Sequence, residues 1–213
     1  SAQTRFSYNG PVVPIPDAIR DGQGGYVAGD PVTAQVGVSG LQSRIAKVVF
    51  RIDGTVCNTT AHSPTVGIDH GDVQDLKLTL ISPDGTQVLV VNRPGDGGYA
   101  PNLCQVILDD DAIGPTLKHD TPHTAAPFTG TWKPSNPLSA LIGGPANGTW
   151  TLSAQDFSPD VAGNIRAFSI TVTAAPDPHA IPTLSEWAMI LLAAVLGLFG
   201  AGMAVRRPLA GRA

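Results

Sequence analysis

The sequence predicts an all-β chain, an antiparallel β-sandwich that ends in one hydrophobic α-helix. Three observations carry this. The acidic residues are sixteen Asp against a single Glu, Glu186. Asp favours turns and caps where Glu favours helix interiors. Gly (24) and Pro (19) are abundant while charged residues make up only 14 %, a composition that suits many turns rather than a bundle. Several segments alternate apolar and polar residues with period two, and only Trp187 to Val205 forms a long unbroken run of apolar residues and Gly.

The elements follow in chain order. Residues 1–30 hold an extended N-terminal segment and a first strand region. "SAQTRFSYNGPVVPIP" is suited either to run along a neighbour's sheet edge or to pair within its own domain. Residues 31–174 form the sandwich. "RIAKVVFRID" places Val48, Phe50 and Ile52 on one face and Lys47 and Arg51 on the other. In "DLKLTLISPDGTQVLVV", Leu76, Leu78 and Leu80 alternate with Lys77 and Thr79; "SPDG" turns, and a Val-rich strand returns as a hairpin. "TWTLSAQD" alternates Trp150, Leu152 and Ala154, and "AFSITVT" alternates Phe168, Ile170 and Val172. Strands with one wet and one apolar face belong to antiparallel sheets. Residues 175–182, "APDPHAIP", make a stiff proline-rich linker. Residues 183–207 are the hydrophobic helix, and 208–213 are a basic tail.

Charge excludes one class of function. Up to Ala180 the chain carries ten Lys/Arg against sixteen Asp, the opposite of the basic face that neutralises nucleic-acid phosphates. The basic residues of the tail, Arg206, Arg207 and Arg212, face only Glu186.

The catalytic signatures are missing. The sequence holds no GxSxG elbow, no HExxH, no phosphate-binding loop and no Cys with an activating partner. Its His residues, His62, His70, His119, His123 and His179, sit in turn-like sequence. The expectation is that the chain is not an enzyme. Two Cys, Cys57 and Cys104, lie outside any CxxC. They are buried free thiols in one reading, and in an exported chain they are a disulfide. The chain opens at Ser1 without Met, which suits a mature exported protein whose leader is gone.

One cation site is suggested by composition. Asp109, Asp110 and Asp111 are consecutive at a strand end, and "QDFSPD" adds Asp156 and Asp160 in a second loop. Hard carboxylate oxygens in an exported β domain suit Ca²⁺, and the competing reading is a solvated acidic turn. "NTT" at Asn58 and "NGT" at Asn147 match glycosylation sequons, although Asn147-Gly148 is already a good turn.

"RIDGTVCNTT", "GIDHGDVQDLKLTLISPDGTQVLVVNRPG", "NLCQVILDDDA", "APFTGTWKPSNPLSALIGG", "NGTWTLSAQD" and "GNIRAFSITV" occur in this order. Together they resemble the P domain found beside the protease in subtilisin-like proprotein convertases, above all its bacterial variants. The resemblance implies a jelly-roll-like β-sandwich, non-catalytic in itself, with Cys57 paired to Cys104. Some relatives bind calcium. The tail, "IPTLSEW" followed by an apolar stretch and "RR", resembles the IPTL-type C-terminal sorting signal handled by exosortase-like systems. That resemblance implies a Gram-negative protein that crosses the inner membrane on its way to the cell surface.

The physics of the tail agrees. Trp187 to Val205 is nineteen residues, about 28 Å of helix, enough to cross a hydrocarbon core. Trp187 suits one interface, and Arg206 and Arg207 hold the other end cytoplasmic. Ala193, Gly197 and Ala201 recur at four-residue spacing, a small-residue stripe that lets helices approach closely. The expected function is therefore an exported structural surface protein that self-assembles, as a fibre or surface layer, through this helix. The alternative is a membrane-anchored, Ca²⁺-dependent module that binds carbohydrate or protein, with Tyr26, Tyr99 and Trp132 in loops placed to stack on sugar. A third reading, an accessory domain for a separate protease, finds no partner encoded in the chain.

Overall fold

The computed structural model describes residues 3–42, 44–175, 188–189 and 191–193. The chain divides into two compact units, Ser1–Pro176 and Asp177–Ala213. In the first unit the strands are β1 (Gln3–Ser7), β2 (Val13–Ile15), β3 (Ile19–Arg20), β4 (Tyr26–Val27), β5 (Val32–Val38), β6 (Arg44–Ile52) and β7 (Ile68–His70). They continue as β8 (Leu76–Ile81), β9 (Gln87–Asn92), β10 (Leu103–Leu108), β11 (Phe128–Trp132), β12 (Gly148–Asp156), β13 (Gly163–Ile165) and β14 (Phe168–Ala175). Short 3-10 turns at Val73–Asp75, His123–Ala125 and Leu138–Leu141 are the helical pieces described in this unit.

One sheet runs β5-β12-β8-β9, all antiparallel. The other has the order β1-β14-β6-β10-β7-β13-β2, with β11 also on β10. Its registers simplify it to five lanes. β14 pairs Phe168 with Ile52 of β6, and β13 pairs Ile165 with Ile68 of β7. β10 lies beside both, with Val106 opposite Ile52 and Leu103 opposite Ile68. β6 and β7 are thus one line of strand, interrupted by an excursion from Asp53 to Gly67. β1 and β2 form the edge lane on β14 and β13.

The inward faces of the two sheets make a single core. Phe50, Ile52, Phe168 and Ile170 pack in one cluster with Leu76, Leu78, Leu80, Val36, Leu152 and Trp150. Trp150 is fully buried and its Nε1–H donates to the Ala146 carbonyl at 3.1 Å, so the largest core side chain leaves no polar atom unpaired. The alternation expected for β6, β8, β12 and β14 therefore selects the face that is buried. The hairpin β8–β9 turns on Ser82–Gly85, where Gly85 has φ +86° and the Asp84 carboxylate accepts from Ser82 Oγ (2.6 Å) and Thr86 N–H (3.1 Å). Gly is the residue that takes such a φ without strain.

Of the two readings open for the N-terminal segment, the structure shows pairing within its own domain, since β1 and β2 pair with β14 and β13. It differs from the sequence expectation in two places. The second sheet is not wholly antiparallel, because β11 pairs β10 in parallel. Asp156 and Trp132 are strand residues, on β12 and β11, and Tyr26 lies on β4. Of the hydrophobic tail, residues 188–189 and 191–193 are helical, with Met189, Leu191 and Leu192 exposed. Ala193 falls in this piece; Trp187, Gly197, Ala201, Arg206 and Arg207 lie outside the described residues, as do the linker from 176 and the basic tail. Among the described residues no helix is long and apolar enough to cross a membrane.

Candidate functional site

The five carboxylates singled out as calcium ligands occupy different environments. Asp109 and Asp111 follow β10, and the Lys47 ammonium, from the neighbouring β6, sits 2.9 Å from Asp109 Oδ1 and 2.6 Å from Asp111 Oδ2. Those hydrogen bonds, Asp111 first, hold Lys47 above its ordinary pKa. Asp110 points the other way and caps the turn at Leu138–Leu141, accepting from the N–H groups of Leu138 (2.8 Å) and Ser139 (2.7 Å). A cavity of about 270 Å³ opens here, lined by Lys47, Val48, Asp110, Asp111, Leu138 and Ile142. Asp160 is ion-paired to Arg20, and Asp156 is buried elsewhere. Among the described residues no group of three or more His, Cys, Asp or Glu side chains is placed to hold a metal. The repulsion within "DDD" is relieved by a lysine and by backbone N–H groups of the chain itself.

The densest polar chemistry lies around β7, which sequence reading missed. Asp69 and His70 are adjacent on a strand, so their side chains leave opposite faces. Asp69 is fully buried and gathers Asn164 Nδ2 (2.9 Å), Arg166 Nε and His62 Nδ1 (3.5 Å). His70 turns inward, where its Nε2–H donates to Asp156 Oδ2 of β12 at 2.9 Å; both side chains are sealed from solvent. Its Nδ1 meets the N–H (3.2 Å) and the carbonyl (2.8 Å) of Asp72. The ring thus has a partner whether Nδ1 accepts or donates.

Asp75 completes this seam. It is 6 % exposed, and its carboxyl is pushed up to about 6 by burial first and then by the charges of Asp72 and Asp156, with His70 and Arg93 opposing. A His–Asp pair beside a raised carboxyl resembles acid–base machinery, but a proton donor must reach a substrate, and these groups face the core. The only hint in the sequence was the alternation of Ile68 and His70 in "GIDHGD", too short and too polar to mark a buried strand.

Cys57 and Cys104 are bonded, with Cα atoms 5.4 Å apart. The bridge pins the outgoing arm of the Asp53–Gly67 excursion to β10. The base of the excursion is closed by an isolated bridge between Gly54 and Val66 and by Thr55 N–H to the Thr65 carbonyl, 2.8 Å. Gly54 (φ +135°) allows the close approach, since a Cβ there would lie 2.8 Å from Cys104 Sγ. The Asn58 amide is spent inside this loop on Ser63 Oγ (3.0 Å) and Thr65 Oγ1 (3.3 Å), and Asn147 bonds both ways with the Leu41 backbone. Both sequon side chains thus serve as turn braces. Tyr26 lies under the Arg20 guanidinium and Trp132 packs edge-on against Phe128, donating to the Thr129 carbonyl. Tyr99 is 60 % exposed in a turn.

No curated protein matches the chain. Two solved structures share 14 % identity at a TM-score of 0.35: the serine protease of Aeromonas sobria, and the same protease in complex with the chaperone ORF2. In each case 81 % of this chain is covered but only 27 % of the other, so the chain spans about a quarter of the length of those proteins. Residues 179–207 match the IPTL-CTERM motif. A sorting signal of this kind suggests an exported, surface-anchored protein and a sorting and processing machinery that handles it at export. Residues 61–172, more than half of the chain, match the proprotein convertase P-domain, and the chain belongs to that family.

Proposed function

We propose that this chain is a non-enzymatic structural protein of the bacterial surface, delivered through the inner membrane by an exosortase-like system of a Gram-negative cell, which assembles with copies of itself into a fibre or layer. The observation that carries the reading is contiguity: the last strand of the P-domain sandwich ends at Ala175, and the IPTL-CTERM motif begins at 179. A stapled sandwich is thereby presented directly on a sorting tail. The non-enzymatic part is supported by the seam around His70 and Asp156, whose titratable groups face the core. The assembly part is supported by the tail. Were the nineteen apolar residues from Trp187 to Val205 helical and open to water, they would expose on the order of a thousand Å² or more, tens of kcal/mol at roughly 25 cal/mol/Å². A chain that keeps this stretch buries it in lipid or in other copies, and the Ala193, Gly197, Ala201 stripe suits close helix contact.

Electron microscopy of surface material tests the reading. Wild-type cells should carry fibres or a layer containing this chain. Gly197→Leu should leave export intact and abolish the assembly, because bulk at the stripe blocks helix approach without lowering hydrophobicity. A wild-type chain that is a detergent-soluble monomer, or a variant that assembles like wild type, overturns it.

A further inference from the structure

The four-stranded sheet has one undefended edge. Along β5 the strand pairs with β12 on one side, and among the described residues no backbone or side-chain hydrogen bond reaches residues 32–38 from the other. An open edge is a template for another strand, and proteins normally blunt it with charge, proline, bulges or cover. The other edges of the two main sheets follow that rule. β9 is covered by Ser135 and Asn136, whose N–H groups donate to Val90 (3.0 Å) and Leu89 (2.9 Å). β1 carries Arg5, β2 contains Pro14, and β11 is broken by Gly130 at φ +82°. β5, "VTAQVGV", has seven residues with no charge or proline among them and no bulge in its pairing with β12; β1 and β2 of the facing sheet lie near it without hydrogen-bonding to it.

Its sequence is also self-complementary. Val32, Ala34, Val36 and Val38 face the core side, while Thr33, Gln35 and Gly37 are exposed and uncharged. An antiparallel two-fold centred on Gln35 sets Val32 opposite Val38, Ala34 opposite Val36 and Thr33 opposite Gly37 of the other copy. Every apolar residue then meets an apolar one, and no like charges face each other. The nearest charged residue, Asp30, falls opposite Gly40. Gly37 has open space where a side chain would stand, so a thiol introduced there meets nothing within the same chain.

We infer that β5 is an isologous interface between two copies of this chain, which joins their four-stranded sheets into one of eight strands. The inference rests on the self-assembly reading and extends it. A two-fold contact alone closes at a dimer, whereas a two-fold contact through β5 combined with a second contact through the tail propagates.

Thiol crosslinking of the full chain in mild detergent tests the pairing, because both native cysteines are bonded and an introduced thiol is unique. Gln35→Cys places two thiols across the axis at a Cβ separation of about 5 Å and should give crosslinked dimer with a short bis-thiol reagent. Thr33→Cys places them about 13 Å apart along the strands and should not, while a mixture of Thr33→Cys and Gly37→Cys chains should. Gln35→Lys added to both chains of that Thr33→Cys and Gly37→Cys mixture, which sets two ammonium groups face to face, should lower the crosslinked-dimer yield roughly fivefold with an unchanged Tm. The same pattern is expected in a Gly197→Leu background, where the tail contact is removed. Monomer alone from Gln35→Cys, or equal crosslinking from Thr33→Cys, overturns β5 pairing. If Gln35→Cys stays monomeric while surface fibres persist, the β5 interface is wrong and the self-assembly reading stands.

Discussion

His70 and Asp156 meet at 2.9 Å with neither side chain open to solvent, and their hydrogen bond joins the two sheets of the sandwich through its core. One partner comes from the three-residue β7 and the other from the last position of β12. Asp156 Oδ1 is taken by the Ser158 N–H at 3.0 Å, so Oδ2 depends on His70.

Removing His70 should therefore be severe. His70→Ala leaves a buried carboxylate oxygen unpaired and should destabilise the domain by about 3–5 kcal/mol in urea denaturation. The double variant His70→Leu/Asp156→Leu should recover part of that loss, since an apolar pair leaves no uncompensated charge. A loss under about 1 kcal/mol in the single variant would show that water reaches this pair.

Asp75 gives stability a particular pH dependence. Its folded pKa, about 6, stands above the unfolded value of 3.8, so the folded state holds the proton more tightly. The stabilisation linked to that proton is complete below about pH 4 and fades as pH rises through 6. At neutral pH the ionised carboxyl faces Asp72 and Asp156. Asp75→Asn, neutral at every pH, should raise Tm at pH 8 and gain little at pH 4, a difference on the order of 2–3 kcal/mol. Equal effects at the two pH values would mean that Asp75 titrates like an exposed carboxyl.

How much of this was legible follows from which interactions are local. The period-two runs of β6, β8, β12 and β14 marked their buried faces, because alternation is written within one strand. The "SPDG" turn likewise gave the β8–β9 hairpin. Pairings between distant segments leave no such trace. Nothing in "FTGTW" announces that β11 lies parallel to β10, nor in "RIDGTVCN" that β6 resumes as β7 after the excursion. The acidic run at 109–111 was visible as charge, but its neutralising lysine sits 62 residues earlier in sequence for Asp109. The His70–Asp156 bond spans 86 residues. It depends on the sandwich being folded before the two groups can meet.

The same lysine decides what calcium should do. Lys47 bridges Asp109 and Asp111, and both oxygens of Asp110 are engaged by backbone N–H groups. A divalent ion would have to displace an ammonium held at hydrogen-bond distance. Scanning calorimetry with chelator and with excess calcium should give the same Tm. A calcium-dependent rise would instead restore the acidic turn as a cation site by mass action.

The final prediction concerns the disulfide. Cys57 and Cys104 are 47 residues apart, and closing a loop of that length restricts the unfolded chain by roughly 4 kcal/mol. The folded state has its own stake in the bridge. The excursion from Asp53 to Gly67 leaves the sheet and must return in register, because Arg166 and Ala167 both donate to the Gly67 carbonyl (2.9 and 3.0 Å). Gly67 itself admits no side chain, as a Cβ would lie 2.3 Å from the Asp53 carbonyl oxygen. Asn102 Nδ2 holds the loop a second time, donating to the carbonyls of Asn58 (2.8 Å) and Thr60 (2.9 Å). Cys57→Ser/Cys104→Ser should thus lower stability by about 2–4 kcal/mol while the sandwich still folds. Adding Asn102→Ala should then expose residues 55–65 to protease and to amide exchange well before global unfolding. If the loop stays protected in the triple variant, the bridge acts on the unfolded chain alone.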